Sequence, residues 1–344
     1  MHMYFADELN LDSRNEVEEL REFLKTFRVV FDKPDRTYVV RKEGKIIATG
    51  SIEKNILKYF FIDCTYSGQG IIGLIFNQLL EHILEEGYKT YFVFTTPNNK
   101  EVFKSLGLSE VGSTSKVILL EGGFYNIDDW INDVKKEIGP KKGKRGAIVA
   151  NCNPMTLGHK YLVSEALEYV EELLLFVVEE DASVFPFKNR YEIVKEGLKD
   201  MENVKVLKGG SYIISSGTFP TYFIKKQDDQ LDVYTELDAT IFAKRVAKGL
   251  DINIRFIGTE DKDIVTNTYN RALIKLLGDY DVETKLIPRL KIANKTVSAT
   301  TIRNLIKEDK YEDAYKYLTK SSKRFLNSPN GEKIIQKIKN ENAI

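Results

Sequence analysis

Residues 146–159, GAIVANCNPMTLGH, decide the fold of this chain. The apolar run 146–150 is short enough to be a buried strand, Asn and Pro then break it, and Gly158-His159 opens a stretch with helical spacing. Toward the carboxyl end the same alternation repeats. Helix patterns cover 160–171, 189–201, 238–248 and 268–277, and strand patterns cover 173–179, 204–207, 253–258 and 283–288. An irregular section spans 213–232, and Ser298 caps a helix pattern that runs to Lys307. Strands alternating with helices predict a doubly wound, parallel α/β sheet with helical additions. The ligand crevice of such a sheet lies at the carboxyl ends of its strands, where the loop 151–158 stands.

Toward the amino end the pattern changes. Val17, Leu20, Phe23 and Leu24 mark a helix, and strands over 37–41 and 46–52 flank a Glu43-Gly44 turn. A strand over 57–64 meets the turn Ser67-Gly68-Gln69-Gly70, and from Ile71 apolar residues recur at helical spacing as far as Leu84. A strand over 90–94, a short helix over 100–106 and a strand over 116–120 close this unit near residue 135. The basic stretch 135–144, KKEIGPKKGK, carries Gly and Pro and reads as an exposed connection. The expected organisation is therefore a domain over 1–135, a linker over 136–145, a second domain over 146–330 and a polar tail over 331–344 that frays.

Composition excludes several classes. Lys plus Arg and Asp plus Glu both number 51 in 344 residues, so no global basic field draws the chain onto nucleic acid or acidic lipid. The partner is expected to be small or locally recognised. Cys64 and Cys152 are far apart with no CxxC or Cys/His spacing, which supports neither a disulfide framework nor a metal site. The acidic amino-terminal stretch is no signal peptide and no apolar run reaches membrane-spanning length, so a cytoplasmic protein is expected.

Two motifs carry chemistry. Gly158-His159 at a helix start sets an imidazole beside backbone N–H groups and the positive end of the helix dipole, which suits a polyphosphate. A lone histidine there is more often only a cap. Val297-Ser298-Ala299-Thr300-Thr301-Ile302-Arg303 opens a later helix with hydroxyls and follows them with a guanidinium. Alone it is ordinary capping; after the last strand of a sheet whose first strand ends in a Gly-His loop, it gains meaning.

Asn153 to His159 resembles the T/HxGH signature of the adenylyltransferase superfamily, with Thr156 where many members have a first histidine, and Ser298 to Arg303 resembles its ISSTxxR partner. Residues 176–186, 212–223, 256–260 and 265–270 are similar to the citrate lyase ligase family, and the resemblance runs over nearly the whole chain. It implies a GNAT-like α+β domain followed by a Rossmann-like nucleotidyltransferase domain. Gly68-Gln69-Gly70 resembles the acyl-CoA loop of GNAT acetyltransferases, although Ser67 and Ile72 depart from that pattern.

The resemblance implies an ATP-dependent ligase that forms acetyl-adenylate and then acetylates the thiol of the phosphoribosyl-dephospho-CoA group on the citrate lyase acyl carrier (gamma) subunit, releasing AMP and pyrophosphate. His159, Thr156 and Arg303 would be catalytic. Asn151, Asn153, Pro154, Gly158, Lys188, Gly258, Glu260, Ser298 and Thr300 would join His159 and Arg303 in holding ATP with Mg²⁺, and Asp181 is a further candidate. Cys152 reads as packing rather than as a nucleophile. Three other readings stay open: a phosphopantetheine-type adenylyltransferase, an acetyl-CoA-dependent N-acetyltransferase, and a non-catalytic module that binds a carrier protein.

Overall fold

The computed structural model describes residues 4–179, 183–213, 228–259 and 264–340. Among the described residues, one compact unit takes in the chain through Asp129 together with 228–233, and a second takes in the rest from Trp130 onward.

The first unit contains β1 (Ala6–Glu8), α1 (Arg14–Lys25), β2 (Arg36–Lys42), β3 (Lys45–Glu53), β4 (Ile56–Ile62), α2 (Ile71–Glu85), β5 (Thr90–Thr95), α3 (Lys100–Ser105), β6 (Ser109–Ser113) and β7 (Ile118–Gly123). Its seven strands run in the order β1-β2-β3-β4-β5-β7-β6. All neighbours are antiparallel except β4 and β5, which pair in parallel at Ile56 with Phe92 and Leu57 with Val93. One face is covered by α2, whose Ile71, Ile75, Phe76, Leu79 and Ile83 are buried with Tyr38, Val40 and Ala48. Leu20 and Leu24 of α1 pack with Val39, Ile46 and Tyr59 in a separate cluster. Glycine is required at Gly50, where a Cβ would lie 2.6 Å from Ile75 of α2. The predicted hairpin and the turn before α2 are present, but β6 was not anticipated. Its sequence, SEVGS, is too short and polar to register as a strand.

The second unit runs through β8 (Arg145–Ala150), α5 (Leu157–Ala166), β9 (Glu172–Val177), α6 (Phe187–Leu198) and β10 (Val204–Lys208). A helix α7 (Asp228–Ile241), whose residues through Val233 group with the first unit, passes through a π-helical segment, Phe242–Ala247, into α8 (Lys248–Leu250). Then come β11 (Ile254–Gly258), α9 (Ile264–Gly278), β12 (Glu283–Ile287), a small hairpin of β13 (Lys291–Ile292) and β14 (Lys295–Thr296), and α10 (Ala299–Lys307). The order β10-β9-β8-β11-β12 is parallel throughout, as the alternation predicts. β8 is central and the chain order reverses across it, so the loop that follows β8 opens at the switch point of the sheet.

Two expectations about organisation fail. The helix α4 (Ile127–Ile138) covers part of the expected linker, and its residues from Trp130 onward belong to the second unit. Trp130, Ile131, Val134 and Ile138 form a buried stripe, with the Trp130 ring 6.1 Å from Phe176 and 5.7 Å from Tyr212. The lysines and acids between these residues hide the stripe from a compositional reading. After α10 come α11 (Tyr311–Tyr315), α12 (Lys320–Leu326) and α13 (Pro329–Asn340), and α13 makes residues 331–340 of the expected polar tail helical and buries Ile334 and Ile338. Gly331 lies so close to the α12 backbone that a Cβ would fall 2.1 Å from the Phe325 carbonyl oxygen. No described helix is long and apolar enough to cross a membrane.

Candidate active site

At the carboxyl ends of β8, β11 and β12, a cavity of about 750 Å³ opens between the starts of α5 and α10. Of the residues singled out from sequence, Asn151, Asn153, Thr156, Gly158, His159, Gly258, Ser298, Thr300 and Arg303 line it. Pro154 is buried and does not line the cavity, and its peptide bond with Asn153 is cis. Lys188 stands exposed on the first turn of α6, away from the lining. Glu260 and Asp181 lie outside the described residues.

Thr156 is the N-cap of α5. Its hydroxyl accepts from the His159 N–H at 3.2 Å, and its own N–H donates to His159 Nδ1 at 2.9 Å, closing a capping box. The amide donation makes Nδ1 an acceptor, so the ring proton sits on Nε2. Burial first, and the positive charge of Arg289 second, push the His159 pKa down to about 4. His159 is therefore a neutral donor at physiological pH. The box also takes up backbone donors that sequence reading left for phosphate. His159 N–H goes to the Thr156 hydroxyl, Thr156 N–H to the imidazole, and Leu157 N–H to the Tyr317 carbonyl at 2.8 Å. These amides are therefore engaged within the protein and do not form the open cradle expected from the sequence.

Gly158 brings the two motifs together. A Cβ there would come within 3.1 Å of the Val297 carbonyl oxygen, just ahead of α10. Ser298 caps α10 by accepting from Thr301 N–H at 3.1 Å. Arg303 reaches across 150 residues to donate to the Asn153 carbonyl at 2.6 Å and also donates to the Thr300 hydroxyl at 3.2 Å.

The carbonyls of the signature loop are held in place by other elements. Val178 N–H donates to Ala150 O at 3.1 Å, Arg190 to Asn151 O at 2.7 Å, Arg303 to Asn153 O at 2.6 Å, and Ser322 of α12 to Met155 O at 2.6 Å. Side chains add a second tier: Asn151 exchanges hydrogen bonds with Ser183, and Asn153 Oδ1 accepts from Phe185 N–H at 3.1 Å. Arg190 is completely buried and also donates to Val178 O at 2.8 Å and Phe185 O at 2.9 Å, so one guanidinium ties the loop after β8 to both ends of the connection from β9 to α6. Such buried, multiply bonded donors give a loop a single geometry.

Sequence reasoning missed Arg190, Ser322, Arg289 and Asn270. Asn270 lines the cavity and donates to the Gly258 carbonyl at 3.2 Å. Each is a polar residue inside a helix pattern or loop whose partner is distant in sequence, so no local spacing marks it. Cys152 is buried with φ 51°, and burial pushes its thiol up to about 12, which leaves it protonated and inert at neutral pH. Arg289 and Arg303 are the charged side chains among the described lining residues, which include no carboxylate. No cluster of three or more His, Cys, Asp or Glu suited to a metal occurs among the described residues.

In the first unit, Gly68 (φ 77°) and Gly70 (φ 76°) are left-handed, and Gly70 caps α2. Gln69 between them accepts from the Tyr4 hydroxyl at 3.0 Å. A hollow of about 210 Å³, lined by Phe60, Val93, Thr95 and Phe103 among others, lies where β4 and β5 diverge beyond their two paired positions.

Among solved structures, Thermotoga maritima TmcAL bound with alpha-thio ATP is similar at 17% identity, covering 56% of this chain and 57% of that one, with a TM-score of 0.38. The family model "Citrate lyase ligase C-terminal domain" matches residues 145–326. The [Citrate [pro-3S]-lyase] ligase of Haemophilus influenzae is 31% identical over 82% of this chain and 86% of its own length. That of Escherichia coli K12 is 32% identical over 84% of each chain. A family match over more than half of the chain, with relatives at this identity over more than four fifths of it, shows that the chain belongs to the citrate lyase ligase family.

Proposed function

We propose that the cavity between α5 and α10 activates acetate with ATP and passes the acetyl group to the carrier thiol of citrate lyase. The observation that carries this reading is the Arg303 contact to the Asn153 carbonyl, which brings both phosphate motifs onto one cavity with two guanidiniums and no carboxylate among its described lining residues. Its volume of about 750 Å³ falls in the range of nucleotide-sized sites. Activation of citrate lyase by acetylation is the role that the family membership supports, and the enzyme is a ligase.

Acetate is a poor acyl donor. Its carboxylate oxygen attacks the α-phosphorus of ATP, the bond from that phosphorus to the bridging oxygen breaks, and pyrophosphate leaves with the electron pair. The protein's task is to position the reactants and to stabilise charge on the phosphoryl oxygens. His159 donates Nε2–H to the phosphoryl under attack. Ser298, Thr300 and Arg303 gather the pyrophosphate. The carrier thiol, as thiolate, then attacks the acetyl carbon and AMP departs. Mg²⁺ would enter with the nucleotide and neutralise charge on its phosphates. The carrier group in this reading is the phosphoribosyl-dephospho-CoA arm of the acyl carrier subunit.

The test is pyrophosphate exchange. With Mg²⁺ and labelled pyrophosphate but no carrier protein, label should enter ATP only when acetate is present. Exchange that depends on phosphopantetheine and not on acetate would turn the assignment to an adenylyltransferase. Acetyl transfer from acetyl-CoA to amines without ATP would point to the first unit instead.

A further inference from the structure

Asn270 of α9 lines the cavity, yet it is only 5% exposed. Its Nδ2 donates to the Gly258 carbonyl, at the end of β11, at 3.2 Å. That bond fixes which way the amide faces, because a flipped amide would set two carbonyl oxygens against each other. The side-chain oxygen is thereby turned away from Gly258, and it accepts from no described donor. The other two amide side chains of the described lining differ: Asn151 Oδ1 accepts from Ser183, and Asn153 Oδ1 accepts from Phe185 N–H. A nearly buried acceptor at a cavity wall is completed by whatever donor the cavity holds. The walls beside it are apolar and held in place. Ile257 precedes Gly258 on β11, Ile287 ends β12, Pro288 and Leu290 follow, and all four line the cavity. Thr259 N–H joins the two strand ends by donating to the Ile287 carbonyl at 2.9 Å.

We propose that Asn270 selects the base of the nucleotide: its Oδ1 accepts from the exocyclic 6-amino group of adenine, while the apolar residues at the ends of β11 and β12 flank the ring. This role rests on the adenylation reading given under Proposed function and adds the choice of nucleotide to it. An amide that keeps an acceptor and a second N–H matches the adenine edge, where an amine stands beside a ring nitrogen. A base with a 6-oxo group sets a carbonyl oxygen against Oδ1 instead. The amide cannot turn over to meet that oxygen without losing Gly258, so both oxygens stay unpaired and the wrong base is rejected.

Inosine triphosphate carries an oxygen where ATP carries the amine, so the two nucleotides test this contact. Their binding, with that of 2′-deoxy-ATP and 3′-deoxy-ATP, is measured by calorimetry with Mg²⁺ on the full chain, unsubstituted and as Asn270→Ala and Asn270→Ser. The unsubstituted chain should bind ATP about 30-fold or more tighter than inosine triphosphate. Both variants should bring the two within about threefold, with the loss on ATP, and should leave the ratios of the deoxy nucleotides to ATP as they were. A merely structural role would weaken both bases alike and keep their ratio. Equal binding of ATP and inosine triphosphate by the unsubstituted chain, a measurement that needs no variant to fold, would overturn the inference. So would a preference for ATP that survives in Asn270→Ala, or a change confined to the deoxy ratios, which would give Asn270 to the ribose. If the unsubstituted chain binds no nucleotide, the proposed function fails together with the inference, and that outcome is distinct from equal binding of the two bases.

Discussion

His159 enters the cavity as a neutral ring whose tautomer is set by the Thr156 amide, and this gives its pH behaviour a definite sign. Its folded pKa of about 4 lies below the ordinary value of 6.5. Between those two values the unfolded chain binds more protons than the folded one. The contribution of His159 to stability is therefore complete above pH 6.5 and is lost as pH falls toward 4. For ligand binding the consequence is flatness. The ratio of ATP affinities between the unsubstituted chain and His159→Ala should stay constant from about pH 8 to 5, because the ring remains a neutral donor throughout. A ratio that climbs on acidification through 6.5 would mean that imidazolium is the binding form. At any pH in that range, His159→Ala should slow adenylation by roughly 10²–10³-fold, the usual cost of removing one preorganised donor to developing charge.

Loops, strands and helices take their positions around the cavity from contacts that are long-range in sequence. Arg190 lies on α6 yet bonds Asn151, Val178 and Phe185, and so ties the ends of β8 and β9 to the start of its own helix. Arg190→Lys keeps the charge but cannot bond three carbonyls in a fork. It should cost roughly 2–4 kcal/mol in denaturant unfolding and raise the KM for ATP, because buried carbonyls lose partners and the signature loop loses its hold. Unaltered stability would show that the carbonyls find other donors. This contact also explains what was legible in the sequence. Gly158-His159 and Ser298 are readable because a cap and a helix start are local chemistry. Parallel strands β8 to β12 are readable because buried runs and amphipathic helices alternate. Arg190, Arg289 and Ser322 are not, since an arginine in a helix pattern reads as solvated charge and a serine as neutral filling until the fold supplies carbonyls or a cavity. The short helices α11 and α12 escape notice for a related reason: with five and seven residues they show too little periodicity, and the contacts that place this segment, Ser322 of α12 on Met155 and the connecting Leu318 on Thr156, are distant in sequence.

For the whole molecule, the place where the chain can be divided follows from α4. A compositional reading favours a cut within 137–144, in the Lys- and Gly-rich stretch, but that cut would remove Trp130, Ile131, Val134 and Ile138 from the second unit. These four side chains are buried, and Ile131 fills the space beside Gly249, where a Cβ would meet it at 2.9 Å. At about 1.5–3 kcal/mol for each buried apolar side chain, their loss is comparable with the total stability of a domain. A cut before Asn126 is different. Asn126 Oδ1 accepts from the N–H groups of Asp128 and Asp129, so a fragment that begins there carries its own cap for α4. We expect the fragment from Asn126 onward to unfold cooperatively and to bind ATP as the full chain does, because every described lining residue of the cavity lies within it. The fragment from Lys144 onward should melt at least about 10 °C lower or fail to fold, with Phe176 and Tyr212 uncovered. Thermal unfolding and ATP titration of the two fragments check this. Equal melting of both would mean that α4 adds nothing to the second unit. Loss of ATP binding from a folded fragment that begins at Asn126 would mean that residues before it contribute to the site.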